Sequence, residues 1–138
     1  MVRSRGEKFV NDFRSAVAAH DAEAVVACFT DDCRFELPNH PARSFTGREQ
    51  ARQNWTMIFE SVPDLELDLR NASYEEERCW AEWEYRGTRV DGTPHLMRGV
   101  TIVDVDEAGR LAAARFFVDY VDQDETSIGE HLANLKDN

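Results

Sequence analysis

The feature that most constrains this chain is a change of hydrophobic period at Pro63. Before it, apolar residues recur every three or four positions: Phe9, Phe13 and Val17 form one stripe, and Ala51, Trp55, Ile58, Phe59 and Val62 form another. That spacing predicts amphipathic helices, each with one buried face. After it, Leu65, Leu67 and Leu69 alternate with Glu66, Asp68 and Arg70, and a twofold period predicts strands with one wet face. Helices followed by a run of strands make the pattern of an α+β domain.

Local signals supply the remaining elements. Asp21 can cap a short second helix whose Val25, Cys28 and Phe29 share a face, and Asp31-Asp32 ends it. Residues 33–37 read as a brief strand before the loop Pro38-Asn39-His40-Pro41, which its prolines make irregular. Thr46-Gly47-Arg48-Glu49 matches a capping box that opens the third helix, and Pro63 closes that helix. Strands follow at 65–70, 78–88, 94–105 and 111–120, with Asp91-Gly92 as a hairpin turn between the second and third. The last two strands are apolar on both faces. Leu96, Val100 and Ile102 oppose Met97, Val103 and Val105, and Phe116 and Val118 oppose Leu111 and Phe117. Helices can cover only one face, so the other calls for a second sheet, and a homodimer is expected. The tail carries a weak helical stripe of Ile128, Leu132 and Leu135.

Size and charge narrow the classes. The 138 residues fit one domain spanning 1–138 and leave no room for a second. A net charge of -11 with arginines scattered among acids argues against nucleic acid and anionic membranes as partners. The basic start Met1-Val2-Arg3-Ser4-Arg5 has no apolar run behind it, and no stretch approaches the roughly 20 apolar residues of a membrane span. Cys28, Cys33 and Cys79 are odd in number and lack C-x-x-C spacing, so they read as reduced thiols in a cytoplasmic protein without a zinc site. No phosphate-binding, dinucleotide-binding, zinc-protease or nucleophile-elbow motif is present, and neither metal nor cofactor is expected.

Three stretches carry a family likeness. Ala27-Cys28-Phe29-Thr30-Asp31-Asp32 resembles a helix exit, Phe45-Thr46-Gly47-Arg48-Glu49 a helix start, and Arg115-Phe116-Phe117-Val118-Asp119 the end of a last strand in the nuclear transport factor 2-like superfamily. The likeness is strongest to its SnoaL-like branch, beside ketosteroid isomerase-like and limonene-epoxide hydrolase-like members. The resemblance implies a cone-shaped barrel, cystatin-like, of a strongly curved antiparallel sheet wrapped around three N-terminal helices. It also implies one small-molecule pocket. Two departures restrict the chemistry. The segment that carries a catalytic carboxylate in isomerase-like members reads Phe35-Glu36-Leu37-Pro38 here, with Leu37 at the position of the base. Where epoxide hydrolase-like members alternate Arg and Asp on a middle strand, this chain holds Trp83 and Tyr85.

What remains resembles the polyketide cyclase-like group, which implies a cofactor-independent lyase or isomerase working by proton transfer on a small, partly apolar substrate. On that reading Asp119 is the acid/base, its pKa raised by a sheltered pocket, with His95 or His40 assisting. Arg98 and Tyr85 would orient the substrate; Trp83, Trp55 and Phe117 would line the site. Each residue has a plainer reading: Asp119 in an ion pair with Arg115 or Arg98, Arg98 on the surface, His95 in an exposed turn, Trp55 and Phe117 in the core. The alternative for the whole chain is a non-catalytic, dimeric ligand-binding or assembly module.

Overall fold

The computed structural model describes residues 4–136. Helix α1 (Arg5–Ala18) begins where the Ser4 hydroxyl accepts from the amide of Glu7 at 3.1 Å, and it buries Phe9, Val10, Phe13 and Val17 along one stripe. Helix α2 (Ala22–Val26) is capped by Asp21, which accepts from the Ala24 amide at 3.1 Å. It is shorter than its apolar pattern predicts. Strand β1 (Phe29–Glu36) starts at Phe29, because the backbone there pairs with the last strand: the Leu111 amide donates to Cys28 O at 2.8 Å. A tertiary ladder has overridden a local helical pattern.

A short 3-10 turn (Pro41–Arg43) and strand β2 (Phe45–Thr46) lead into helix α3 (Arg48–Ser61). The predicted capping box does not form. Thr46 is held in β2 opposite Arg34, so Gly47 becomes the N-cap, and Glu49 pairs with Arg52 instead of reaching back. Strands β3 (Glu66–Tyr74), β4 (Arg78–Thr88), β5 (Pro94–Val105) and β6 (Leu111–Tyr120) form the expected meander. The sheet order is β2-β1-β6-β5-β4-β3. It is antiparallel except where β1 runs parallel to β6, a pairing that the expectation of a purely antiparallel sheet lacks. The sheet curves around the helices in the cone-shaped manner but does not close, leaving β2 and β3 as edges.

The core lies between the helices and the concave face. Phe13 is at its centre, its ring 5.6 Å from each of Phe9, Trp55 and Trp83 and 6.4 Å from Phe29. On β4 the inward residues are Cys79, Ala81, Trp83 and Tyr85, all buried. The β4–β5 connection sets which residues of β5 join them. Arg89 and Thr93 pair across it, with Arg89 N donating to Thr93 O at 2.9 Å, and Gly92 takes a left-handed φ of 87°. The loop between the paired residues is therefore three residues long, not the two that Asp91-Gly92 suggests. Tyr85 consequently faces Met97, and Glu84 faces Arg98.

The convex face carries Trp80, 45% exposed and opposite Ile102, with Val100, Phe117 and, farther along β5, Leu96 part-buried on the same face. Helix α4 (Ile128–Lys136) buries no residue and leaves Ile128, Leu132 and Leu135 exposed. No helix among the described residues is long and apolar enough to cross a membrane.

Candidate ligand pocket

The concave face of the sheet bends over α1 and α3, and a cavity remains among the large side chains gathered there. Its inner chamber holds about 180 Å³ and is walled by Phe13, Phe29, Trp55, Trp83, Ala114 and Phe116 among others. An outer chamber of about 490 Å³ adjoins it, sharing Leu37, Phe45, Asn54, Trp55, Ile58, Tyr85 and Phe116, and adds Arg43, Arg89, His95 and Tyr120 at the mouth. No aspartate or glutamate lines either chamber among the described residues.

The polar groups inside are few. Trp83 is fixed by donating Nε1–H to Thr101 Oγ1 at 2.9 Å, so its ring is a rigid wall. Tyr85 faces both chambers, and among the described residues its hydroxyl has no hydrogen-bond partner; burial pushes its pKa well up, so it stays protonated as a donor. Asn54 accepts from Gln50 Nε2 at 2.8 Å, which leaves its own amide N–H groups for the cavity. At the mouth, Arg89 Nε donates to His95 Nδ1 at 3.4 Å, and the Arg89 guanidinium lies 5.1 Å from the centre of the Tyr120 ring. Burial, and then the Arg89 charge, push the His95 pKa down, so the imidazole is neutral at physiological pH. Since Nδ1 accepts from Arg89, the ring proton sits on Nε2.

Of the residues that the sequence nominates, Trp83, Tyr85, Trp55 and His95 line the cavity. Asp119, Arg98 and Phe117 do not. They lie on the convex face, with Arg98 directly opposite Asp119 and Val100 opposite Phe117. The Asp119 side chain is 47% exposed and bonds His40 Nε2 at 2.7 Å, an arrangement that lowers its pKa first through His40 and then through the Tyr120 amide. The expected sheltered carboxylate with a raised pKa is corrected accordingly. Arg98 donates to Glu84 Oε1 at 2.7 Å, Phe117 lies under the Arg115 guanidinium at 5.6 Å, and His40 sits outside both chambers.

The residues missed by sequence reasoning are mainly aromatic, Phe13, Phe29, Phe45 and Phe116, together with the mouth groups Arg43, Arg89 and Tyr120. The aromatics read equally well as core. Arg89 and Tyr120 fall at strand ends, where only the three-dimensional closure of the sheet brings them together with His95.

A curved open sheet around three helices with one apolar cavity defines a cone-shaped α+β pocket protein of the nuclear transport factor 2-like superfamily. Within it, the chain belongs to the SnoaL-like domain family, which matches residues 10–114. Similar solved structures include RV0760c from Mycobacterium tuberculosis in complex with estradiol-17beta-hemisuccinate, at 18% identity and TM-score 0.72, covering 83% of this chain and 94% of that one. A protein from Catenulispora acidiphila with a ketosteroid isomerase-like fold, in complex with trimethylamine, aligns at 16% identity and TM-score 0.69 over 91% of this chain and 90% of that one. A computationally designed 17-OHP binder aligns at 17% identity and TM-score 0.70 over 88% of this chain and 100% of that one. At these identities the likeness establishes the fold. Among curated proteins, none matches this chain significantly.

Proposed function

We propose that this chain binds a small apolar molecule in the two-chambered cavity, with Trp55, Trp83 and Phe116 enclosing its body and Tyr85 donating a hydrogen bond to it. The single observation that carries this reading is the cavity itself, walled by aromatics, open at one end, and free of carboxylates. Apolar walls with a few placed polar groups are what small-molecule sites require. Two of the similar structures are a complex with estradiol-17beta-hemisuccinate and a designed 17-OHP binder, and both are small-molecule binders. The test is thermal shift against a metabolite panel, in the native chain and in Ala114→Leu, which intrudes on the inner chamber. A ligand present at about 100 times its Kd adds about 2.7 kcal/mol of stability. Hits are expected in the native chain and should weaken in Ala114→Leu; hits with an undiminished shift in Ala114→Leu would place binding elsewhere.

A catalytic version is favoured by one observation: His95 is neutral at physiological pH and stands at the mouth with Nε2 turned to no protein partner among the described residues. Isomerase, cyclase or dehydratase chemistry without a cofactor would then use the His95 Nε2–H and the Tyr85 hydroxyl as donors that polarise a substrate oxygen. His95→Phe, which removes the imidazole donor, should lower turnover; unchanged turnover would reject the catalytic version.

Self-association through the convex face completes the reading. That face presents exposed Trp80 among apolar neighbours, ringed by mixed charges: Glu82, Glu84 and Asp104 beside Arg70, Arg86, Arg98 and Arg115. Such mixed charge can complement a second copy of itself. Sedimentation should give a dimer that Trp80→Glu dissociates; a monomeric native chain would reject this part. Three free, buried cysteines support a reducing, cytoplasmic setting.

A further inference from the structure

We infer that the ligand is an organic anion: a ring-sized apolar body in the inner chamber with a carboxylate or similar acidic head at the mouth. This rests on the ligand-binding reading above and adds the charge of the ligand.

Charge is unevenly distributed over the molecule. The chain as a whole carries -11, yet the charged side chains lining the outer chamber are Arg43 and Arg89, with no acid among them. Elsewhere, arginines find carboxylates. Among the described residues only Arg14, Arg34, Arg43 and Arg89 have none within 4.0 Å, and two of these four share the mouth. The nearest acids act from outside the chamber: Asp119 feels the field of Arg43, and Asp91 that of Arg89.

Arg89 is also aimed. Stacking on Tyr120 and the bond from Nε to His95 leave the terminal nitrogens of the guanidinium without a protein acceptor among the described residues. A planar fork held at one edge and open at the other is suited to an oxyanion, and His95 Nε2–H supplies a neutral donor beside it. A neutral apolar ligand would leave both arginines at the rim without an opposite charge. The inner chamber sets the other end. A dry cavity of about 150 Å³ is enough for benzene, so about 180 Å³ accepts one ring, with the remainder of the molecule extending past Tyr85 toward the arginines.

Two probes with the same anilinonaphthalene body separate the two claims: anilinonaphthalene sulfonate and its uncharged parent N-phenylnaphthylamine, both followed by fluorescence enhancement. The native chain should bind the sulfonate at least about tenfold more tightly than the parent, and Ala114→Leu should weaken both. Arg89→Gln and Arg43→Gln should each bring the affinity ratio toward one, and the double variant should abolish it. Arg43 makes no side-chain hydrogen bond among the described residues, so its variant keeps the test valid should Arg89→Gln disturb the mouth. Equal affinities in the native chain would overturn the anion inference while leaving the apolar pocket standing. A preference that survives in the double variant would overturn it as well. Failure of both probes to bind would overturn the pocket reading and this inference together.

Discussion

Replacing Gly99 by alanine should damage the sheet at the point where it bends over the pocket. Gly99 has a φ of 152°, and a Cβ placed on it would lie 2.1 Å from Phe117 O and 2.7 Å from Val118 Cα. Relieving a 2.1 Å contact to an ordinary distance of at least 3.0 Å requires β5 and β6 to part by roughly 1 Å. Ladder bonds near 2.9 Å would then stretch to roughly 4 Å and be lost locally. Losing two such bonds at about 1 kcal/mol each, plus about 1–2 kcal/mol for alanine at an unfavourable φ, gives about 3–4 kcal/mol. With a urea m-value near 2 kcal/mol/M, the unfolding midpoint should fall by about 1.5–2 M. Tryptophan fluorescence reports it well, because Trp83 lies directly across from Gly99 on β4. A midpoint shift under about 0.3 M would refute the close approach of β5 and β6 on which the pocket geometry depends.

Three further outcomes are expected. Thr101→Val leaves the buried Trp83 Nε1–H without its acceptor and should cost about 1–3 kcal/mol in urea melts, with Tm falling in step. The Asp119 carboxyl is held below its ordinary range by His40, so the stability it contributes is complete above about pH 4 and is lost as pH falls through the lowered value. Asp119→Asn should therefore flatten the acid limb of a stability-versus-pH curve while leaving ligand affinity unchanged; a loss of binding would return Asp119 to the site. Burial pushes the Cys28 thiol up to about 11 and the Cys79 thiol up to about 12, so a thiol reagent at pH 8 should label neither until denaturant is added.

The order of elements was legible in the sequence because hydrophobic period reports which face is buried, and Pro63 divides the two periods cleanly. The limits of α2 and the cap of α3 were not, since Phe29 and Thr46 answer to strand partners distant in sequence. The site was half legible for a sharper reason. Trp83 and Tyr85 point inward, and Arg98 was expected beside them. A two-residue turn at Asp91-Gly92 would have paired Tyr85 with Arg98 and set both on one face. The observed loop spans three residues, Tyr85 pairs with Met97, and a shift of one residue turns Arg98 outward. Asp119, opposite Arg98, goes with it. Once register is fixed, the pocket's acid is gone and its chemistry passes to the mouth, where Arg89, His95 and Tyr120 meet from two different strands and the loop joining β4 to β5.

The most direct test is a crystal structure of the chain grown with N-phenylnaphthylamine. One ring system should lie in the inner chamber against Trp83 and Phe13, with Tyr85 at its edge. A cavity left vacant, with the probe lying instead on the convex face over Trp80, would contradict it.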